Sequence, residues 1–404
     1  MSYPGYQTDT YYVSKFYAGD FILSDESLAE HFEASFSFCY LDAWLRYSIL
    51  SRTISFNHKR TDFTIDLDKE KIESRQTYIR SEGVLLNEEI GYLIQSPEFN
   101  VEEESIKISF QRFYSFTPDP DKLYSPEYLF SILQNYRRLL SLLIGTPMYF
   151  SYIEYYTPGS EVTDGQIQPR QTIRFFYSQV GNINEAKKLS PSNPNMILIK
   201  RDDIKNRLDE IINNWFDNIE NYNNVLSAFI SDSYLPGYLE TMFLNCAKGL
   251  ESYHRFFYEG ENTNIELESD TLLSEEKRRL LDFVSQNISE GNQDYFYNRI
   301  NFEEEKTSFR TRLKVLIDAL PVNLQKRILG KTDRRTKNSF INHVIDSRNY
   351  YTHRDAIEKY KNAVIGIGPL SEIVRQLSII LQFFCLTQIG IDKSIVENAL
   401  LNHY

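Results

Sequence analysis

The sequence predicts an α+β protein in which a β-rich, sandwich-like N-terminal domain over residues 1–200 is followed by an all-α helical bundle over residues 201–404. Three observations carry this reading. Apolar and polar residues alternate through much of the first half, and apolar residues recur at helical spacing through the second. Between the two regimes lies the loop signal Ser190-Pro191-Ser192-Asn193-Pro194. A chain of 404 residues also exceeds the size at which one hydrophobic core usually stops growing, so two domains are expected.

In the first half, the alternating sets Phe36/Phe38/Tyr40, Phe63/Ile65/Leu67 and Ile106/Ile108/Phe110 read as half-buried, largely antiparallel strands. Residues 149–156, 172–178 and 196–199 are further candidate strands. One helix interrupts the pattern: Ser125 is a good cap and Pro126 fits the first helical position. It is expected to run to about Ile144, and Leu129, Ile132, Leu133, Tyr136, Leu140 and Leu143 give it one apolar face for the sheet. Residues 157–171 hold Pro158, Gly159, Gly165 and Pro169 and read as a loop, while Asp119-Pro120-Asp121 reads as a turn.

Beyond residue 200 the helical segments are 204–219, 222–258, 274–289, 295–320, 337–350 and 369–389, with Pro236-Gly237 a break inside the second. Residues 377–391 form the most apolar stretch. Gln382 and Gln388 interrupt it and it is shorter than the roughly 20 residues of a membrane span, so a buried helix is expected and no membrane.

Composition is that of a folded soluble protein, 42% hydrophobic and 25% charged, with 29 Tyr and 27 Phe supplying large buried surfaces. The cysteines Cys39, Cys246 and Cys385 are odd in number and far apart, which argues against a disulfide framework and for buried thiols in a reducing compartment. Met1-Ser2-Tyr3-Pro4-Gly5 does not lead from a basic region into an apolar core, so cytoplasmic residence is expected. A net charge of -12 opposes nonspecific nucleic-acid binding, which makes local charge the informative quantity. Between Gln325 and Phe340 the chain carries Lys326, Arg327, Lys331, Arg334, Arg335 and Lys337 against one acid, Asp333. Lys331, Arg334, Arg335 and Lys337, with Arg354 further on, are the candidate RNA-binding cations; a solvated loop is the bland account of the same patch.

Two glycine motifs carry no nucleotide chemistry. Gly330-Lys331-Thr332 resembles the tail of a P-loop, but Gln325 stands where the first glycine belongs and no strand precedes it. In Gly366-Ile367-Gly368 the third glycine of a dinucleotide fingerprint is replaced by Ser371, leaving a turn before a helix. His31, His58, His254, His343 and His403 show no metal-ligand spacing, so neither a metal nor a cofactor is expected.

The chemistry concentrates in Asp346-Ser347-Arg348-Asn349-Tyr350-Tyr351-Thr352-His353-Arg354-Asp355. RNA brings its own nucleophile, the 2′-hydroxyl. An enzyme using it must accept that proton, protonate the leaving 5′-oxygen and stabilise charge on the phosphorane, tasks suited to His353 and Arg348 without a metal. On a regular helix, residues five apart point about 140° away from each other. Either the helix ends or distorts between Arg348 and His353, or a second subunit completes the pair, and the two are compatible.

This R-N-x-x-x-H pattern, late in a helical bundle, resembles that of HEPN-domain ribonucleases, most closely the ApeA-like branch, in which a β-rich domain precedes the HEPN domain. The resemblance implies anti-phage (abortive infection) defence, a phage-derived trigger, and a homodimer whose HEPN domains build the RNA-cleaving cleft. It places the family's motif arginine on Arg348, the following polar residue on Asn349 and the histidine on His353. The segment Leu250-Glu251-Ser252-Tyr253-His254 resembles the place where many HEPN domains set an acid facing that arginine, which marks Glu251. Glu251 reads equally as a surface acid on an amphipathic helix, and Tyr350 and Tyr351 as packing residues or stacking platforms. The competing account of the whole chain is a catalytically silent HEPN module for binding or assembly, with the β-rich domain recognising a partner.

Overall fold

The computed structural model describes residues 15–19, 32–41, 44, 50–57, 60–67, 75–93, 109–119, 124–156, 162–163, 166–167, 172–177, 197–234, 237–258, 267–302 and 308–404. The chain forms two compact units, Met1–Asp217 and Asn218–Tyr404.

The first unit is built on a seven-stranded antiparallel sheet in the order β1-β11-β8-β2-β7-β6-β5. Its strands are β1 (Lys15–Gly19), β2 (Glu33–Phe38), β5 (Gln76–Ile79), β6 (Val84–Leu93), β7 (Ser109–Pro118), β8 (Phe150–Tyr156) and β11 (Thr172–Tyr177). A separate ladder pairs β3 (Leu50–Asn57) with β4 (Arg60–Leu67), the strand that carries Phe63/Ile65/Leu67. Of the third alternating set only Phe110 lies on a described strand; Ile106 and Ile108, like Pro120 and Asp121, lie outside the described residues. The expected loop 157–171 holds a small hairpin, β9 (Val162–Thr163) with β10 (Gln166–Ile167).

Helix α1 (Pro126–Ile144) has the ends its sequence implied: Ser125 Oγ accepts from the Tyr128 N–H, and Gly145 closes it at φ 79°. Its buried stripe packs on the sheet through Tyr136, whose ring meets Phe36 and Tyr114 edge-on at centroid distances of 6.2 and 5.3 Å. Residues 197–199 are not a strand. The N–H groups of Leu198 and Ile199 donate to the carbonyls of Ile144 and Leu143, satisfying the open end of α1, and this turns an apolar run into a helix stop.

Two further helices, α2 (Arg201–Ile204) and α3 (Leu208–Asp217), belong to this unit, so the units divide after Asp217 and not at the change of sequence period near residue 200. The reason lies in long-range polar contacts: Asn213 accepts from the Arg80 N–H and donates to the Tyr78 carbonyl, Arg80 pairs with Asp217, and Arg201 pairs with the buried Glu88. Burial holds the Glu88 carboxyl above its ordinary range, with Arg201 opposing the shift.

The second unit is all-helical: α4 (Ile219–Tyr234), α5 (Leu239–Tyr253) running into a π-helical turn (His254–Tyr258), α6 (Leu267–Asn287), α7 (Glu290–Phe302), α8 (Phe309–Ala319), α9 (Val322–Leu329), α10 (Arg334–His353), α11 (Ile367–Gln388) and α12 (Lys393–His403). The expected single helix over 295–320 is two, because Ser308 caps a new start. Helix α11 is long and apolar enough to cross a membrane by length and composition, yet two thirds of its apolar window is buried in the bundle, as befits a core helix. Gly366, at φ 94°, makes the turn before it. Cys246 and Cys385 are buried, and Cys39 is only half-buried because it follows the end of β2.

Candidate active site

Helix α10 carries the motif. Asp333 caps its start, and Phe340, Ile341, Val344, Ser347 and Tyr351 form its buried face. The helix is unbroken from Arg334 to His353 and closes one residue later, where Arg354 adopts a left-handed φ of 55° and its N–H donates to the Tyr350 carbonyl. The expectation that the helix ends or distorts between Arg348 and His353 is therefore not met. The reason is the cap: Arg354, not a residue inside the motif, takes the strained conformation. Within one copy the two side chains keep the divergence of about 140° that a regular helix dictates.

The rotation of α10 about its axis is fixed by residues 362–364, which are bonded along it. Ser347 Oγ accepts from the Val364 N–H at 2.8 Å and the Tyr351 hydroxyl donates to the Val364 carbonyl at 2.9 Å. Asp346 accepts from Asn362 twice, at 2.8 and 3.0 Å. Tyr351 is thus a buried packing residue, edge-on to Phe243 at 5.9 Å.

Around Arg348 three other helical segments converge. Its Nη2 donates to Glu251 Oε2 at 2.8 Å, and its guanidinium lies 4.9 Å from the centroid of the Phe309 ring, a cation–π distance. The other oxygen of Glu251 lies 3.6 Å from Arg312 Nη1 and 3.5 Å from Arg255 Nη2. Arg312 is buried, with 5% of its surface exposed, whereas the Arg348 side chain keeps 36% exposed. Among the described residues Glu251 thus meets three guanidinia, of which Arg348 and Arg255 are open to solvent, in a chain whose total charge is -12. Such a group can hold a phosphate and is held rigidly enough to aim at one.

His353 stands exposed at the end of α10, Asn349 is half-buried, and Arg354 is exposed with its guanidinium 5.4 Å from the Tyr351 ring centroid. The candidate RNA-binding cations divide into two groups. Arg354 adjoins the motif, but Arg334 and Arg335 open α10, about 20 Å along the axis from Arg348. Lys331 is exposed just before them, and Lys337 is tied to Asp318 at 2.7 Å. These four are not part of the Arg348 cluster; Arg334 and Lys337 line a shallow depression with Lys314, Thr332 and Asn338.

Sequence reading passed over Phe309, Arg312 and Arg255. The first two had a visible signal: an arginine three residues after a phenylalanine on the same apolar face as Leu313 and Leu316, a position where a charge needs a buried partner. Among the described residues no group of three or more His, Cys, Asp or Glu gathers as metal ligands do.

The second unit thus carries an arginine bound to a carboxylate from another helix and a histidine that closes the arginine's own helix, and a β-rich unit precedes it in the chain. Compared with protein families, residues 244–395 match the Apea-like HEPN model, and residues 1–215, over half the chain, match ApeA N-terminal domain 1. The chain belongs to the ApeA-like HEPN family. No curated protein and no solved structure matches it.

Proposed function

We propose that the protein is a metal-independent endoribonuclease acting in anti-phage defence in the bacterial cytoplasm. The observation that carries the reading is the held arginine: Arg348, fixed by Glu251 and Phe309 with a third of its side chain open, on the same helix as the exposed His353. In the reaction an RNA 2′-oxygen attacks its own phosphorus, the 2′-O–P bond forms and the P–O5′ bond breaks. An imidazole accepts the 2′-proton, a protonated imidazole supplies one to O5′, and Arg348 stabilises the charge on the phosphorane. The products are a 2′,3′-cyclic phosphate and a 5′-hydroxyl.

Because Arg348 and His353 diverge on a continuous helix, the cleft is completed by a second copy through the HEPN domain, each contributing one imidazole. The β-rich domain is the part free to meet a phage-derived trigger. Arg354 contacts RNA beside the motif, and Lys331, Arg334, Arg335 and Lys337 extend the contact toward the far end of α10. Two substitutions test the reading through different signatures. His353→Ala lowers the cleavage rate by roughly 10²- to 10⁴-fold with RNA binding and melting temperature close to wild type. Arg348→Ala lowers rate and affinity together, Arg348→Lys restores little because the bidentate fork is lost, and Asn349→Ala is milder. Folded alanine variants of both with full nuclease activity refute it and favour the silent binding module.

A further inference from the structure

The carboxylate that holds Arg348 also holds a second exposed arginine. Arg255 Nη2 lies 3.5 Å from Glu251 Oε1, and the Arg255 side chain is 55% exposed. An exposed i,i+4 pair of that length contributes little to stability and leaves the Arg255 guanidinium accessible to a ligand. Glu251 has no need of it: its other oxygen takes Arg348, and the buried Arg312 stands behind the first. The backbone at Arg255 is also unusual. It lies in the π-helical turn His254–Tyr258, a geometry that is rare and frequently found at functional sites. His254 and Phe257 of that turn are buried, while Arg255 faces outward beside Phe256.

The terminal nitrogens of Arg348 and Arg255 that meet the two oxygens of this carboxylate, at 2.8 and 3.5 Å, stand within about 9 Å of each other. That suits successive phosphates of one nucleic-acid strand, each with its own charge. We propose that Arg255 is a second phosphate contact of the RNA, taking the phosphate next to the scissile one while Arg348 takes the scissile phosphate. Glu251 then sets the register of the strand, since one rigid group spaces both cations. This rests on the ribonuclease reading above and extends it to an RNA subsite on the π turn.

The test pairs a variant with a matching change in the substrate. The full-length protein is given an oligoribonucleotide spanning its mapped cleavage site, and two versions in which the phosphate immediately 5′ or 3′ of that site is a neutral methylphosphonate, with a 2′-deoxy sugar under the neutral linkage. Wild type is expected to lose about 10- to 100-fold in kcat/KM on one of the neutral versions, mainly through KM, the effect of removing one charge-assisted contact. Arg255→Gln should show the same loss on the all-phosphate RNA, no further loss on that neutral version, and an unchanged melting temperature; Arg255→Lys should recover part. The proposal is overturned if Arg255→Gln loses equally on charged and neutral RNA, if it loses nothing, or if wild type is indifferent to both neutral linkages. A wild type that cleaves no RNA at all is a separate outcome and removes the ribonuclease reading itself.

Discussion

Replacing Glu251 by glutamine keeps the side chain's shape and removes its charge, which isolates what the carboxylate does for Arg348. In the wild-type site the carboxylate accepts from Arg348 at 2.8 Å and lies within 3.6 Å of Arg312 and Arg255. A hydrogen bond between charged partners contributes about 1.5–3 kcal/mol against about 0.5–1.5 for neutral ones. Losing the charge at a site this close to a buried arginine should therefore cost about 2 kcal/mol, or about 4–8 °C of melting temperature for a unit of this size. Activity should fall further than stability implies, because a cation displaced by about 1 Å can cost as much as 10²-fold in rate. The deciding assay is a double-mutant cycle on cleavage carried out in Arg255→Gln protein, which takes that contact of Glu251 out of the comparison: with Arg348→Ala added, Glu251→Gln should change kcat/KM by no more than about threefold. A full and independent loss in that background refutes the view that Glu251 works by holding Arg348.

Four other outcomes follow from the same structure. Activity should survive EDTA and yield 2′,3′-cyclic ends, since the nucleophile belongs to the substrate; recovery only on added magnesium, or efficient DNA cleavage, speaks against this. Light scattering should find a dimer at micromolar concentration, and because two chains of -12 repel each other, low salt should weaken it; a strict monomer with undiminished specific activity on dilution counts against two imidazoles. Gly249→Ala puts a Cβ 2.9 Å from the Val225 carbonyl oxygen and 3.0 Å from Leu381 Cδ2, so thermal melts should show a loss of about 1–3 kcal/mol, and no change means α4, α5 and α11 can part freely. Hydrogen bonds from the Thr336 hydroxyl and N–H hold the Asp333 carboxyl below its ordinary value of 3.8. Its folded value lies below its unfolded one, so its stabilisation is present above that ordinary value and is lost as pH falls through the folded one. Asp333→Asn should flatten this acid-side loss in circular dichroism, and an unaltered acid limb assigns the loss elsewhere.

What the sequence made legible was local. Helix α1 could be placed at both ends because its cap, its proline and its apolar stripe are near neighbours in the chain. The motif on α10 was visible for the same reason. By contrast, β6 went unread because Asn87 and Glu88 interrupt its alternation with polar side chains that are nevertheless buried; Arg201, 113 residues away, is what makes Glu88 tolerable there. Arg348 and Glu251 are 97 residues apart, and only a likeness to other proteins brought them together on paper. Phe309 and Arg312 come from yet another helix. The basic patch is the reverse case: it adjoins the motif in sequence, but a helix rising 1.5 Å per residue carries Arg335 about 20 Å from Arg348.

The continuity of α10 bears on the mechanism more than any single side chain does. Had the helix broken inside the motif, one copy could turn Arg348 and His353 toward a common phosphate. Instead Ser347 and Tyr351 are bonded to Val364 on either side of the motif's interior, so the helix can neither unwind nor rotate without losing both hydrogen bonds. Arg348 is committed to the Glu251 flank, where the carboxylate and Phe309 hold it. His353 is left at the exposed end, one residue before the chain leaves the helix. On the reading proposed here, fixing the arginine and presenting the histidine outward are two parts of one arrangement. Arg348 binds in its own copy, and His353 acts across a twofold axis, where a second imidazole supplies the opposite protonation state that the cleavage step requires.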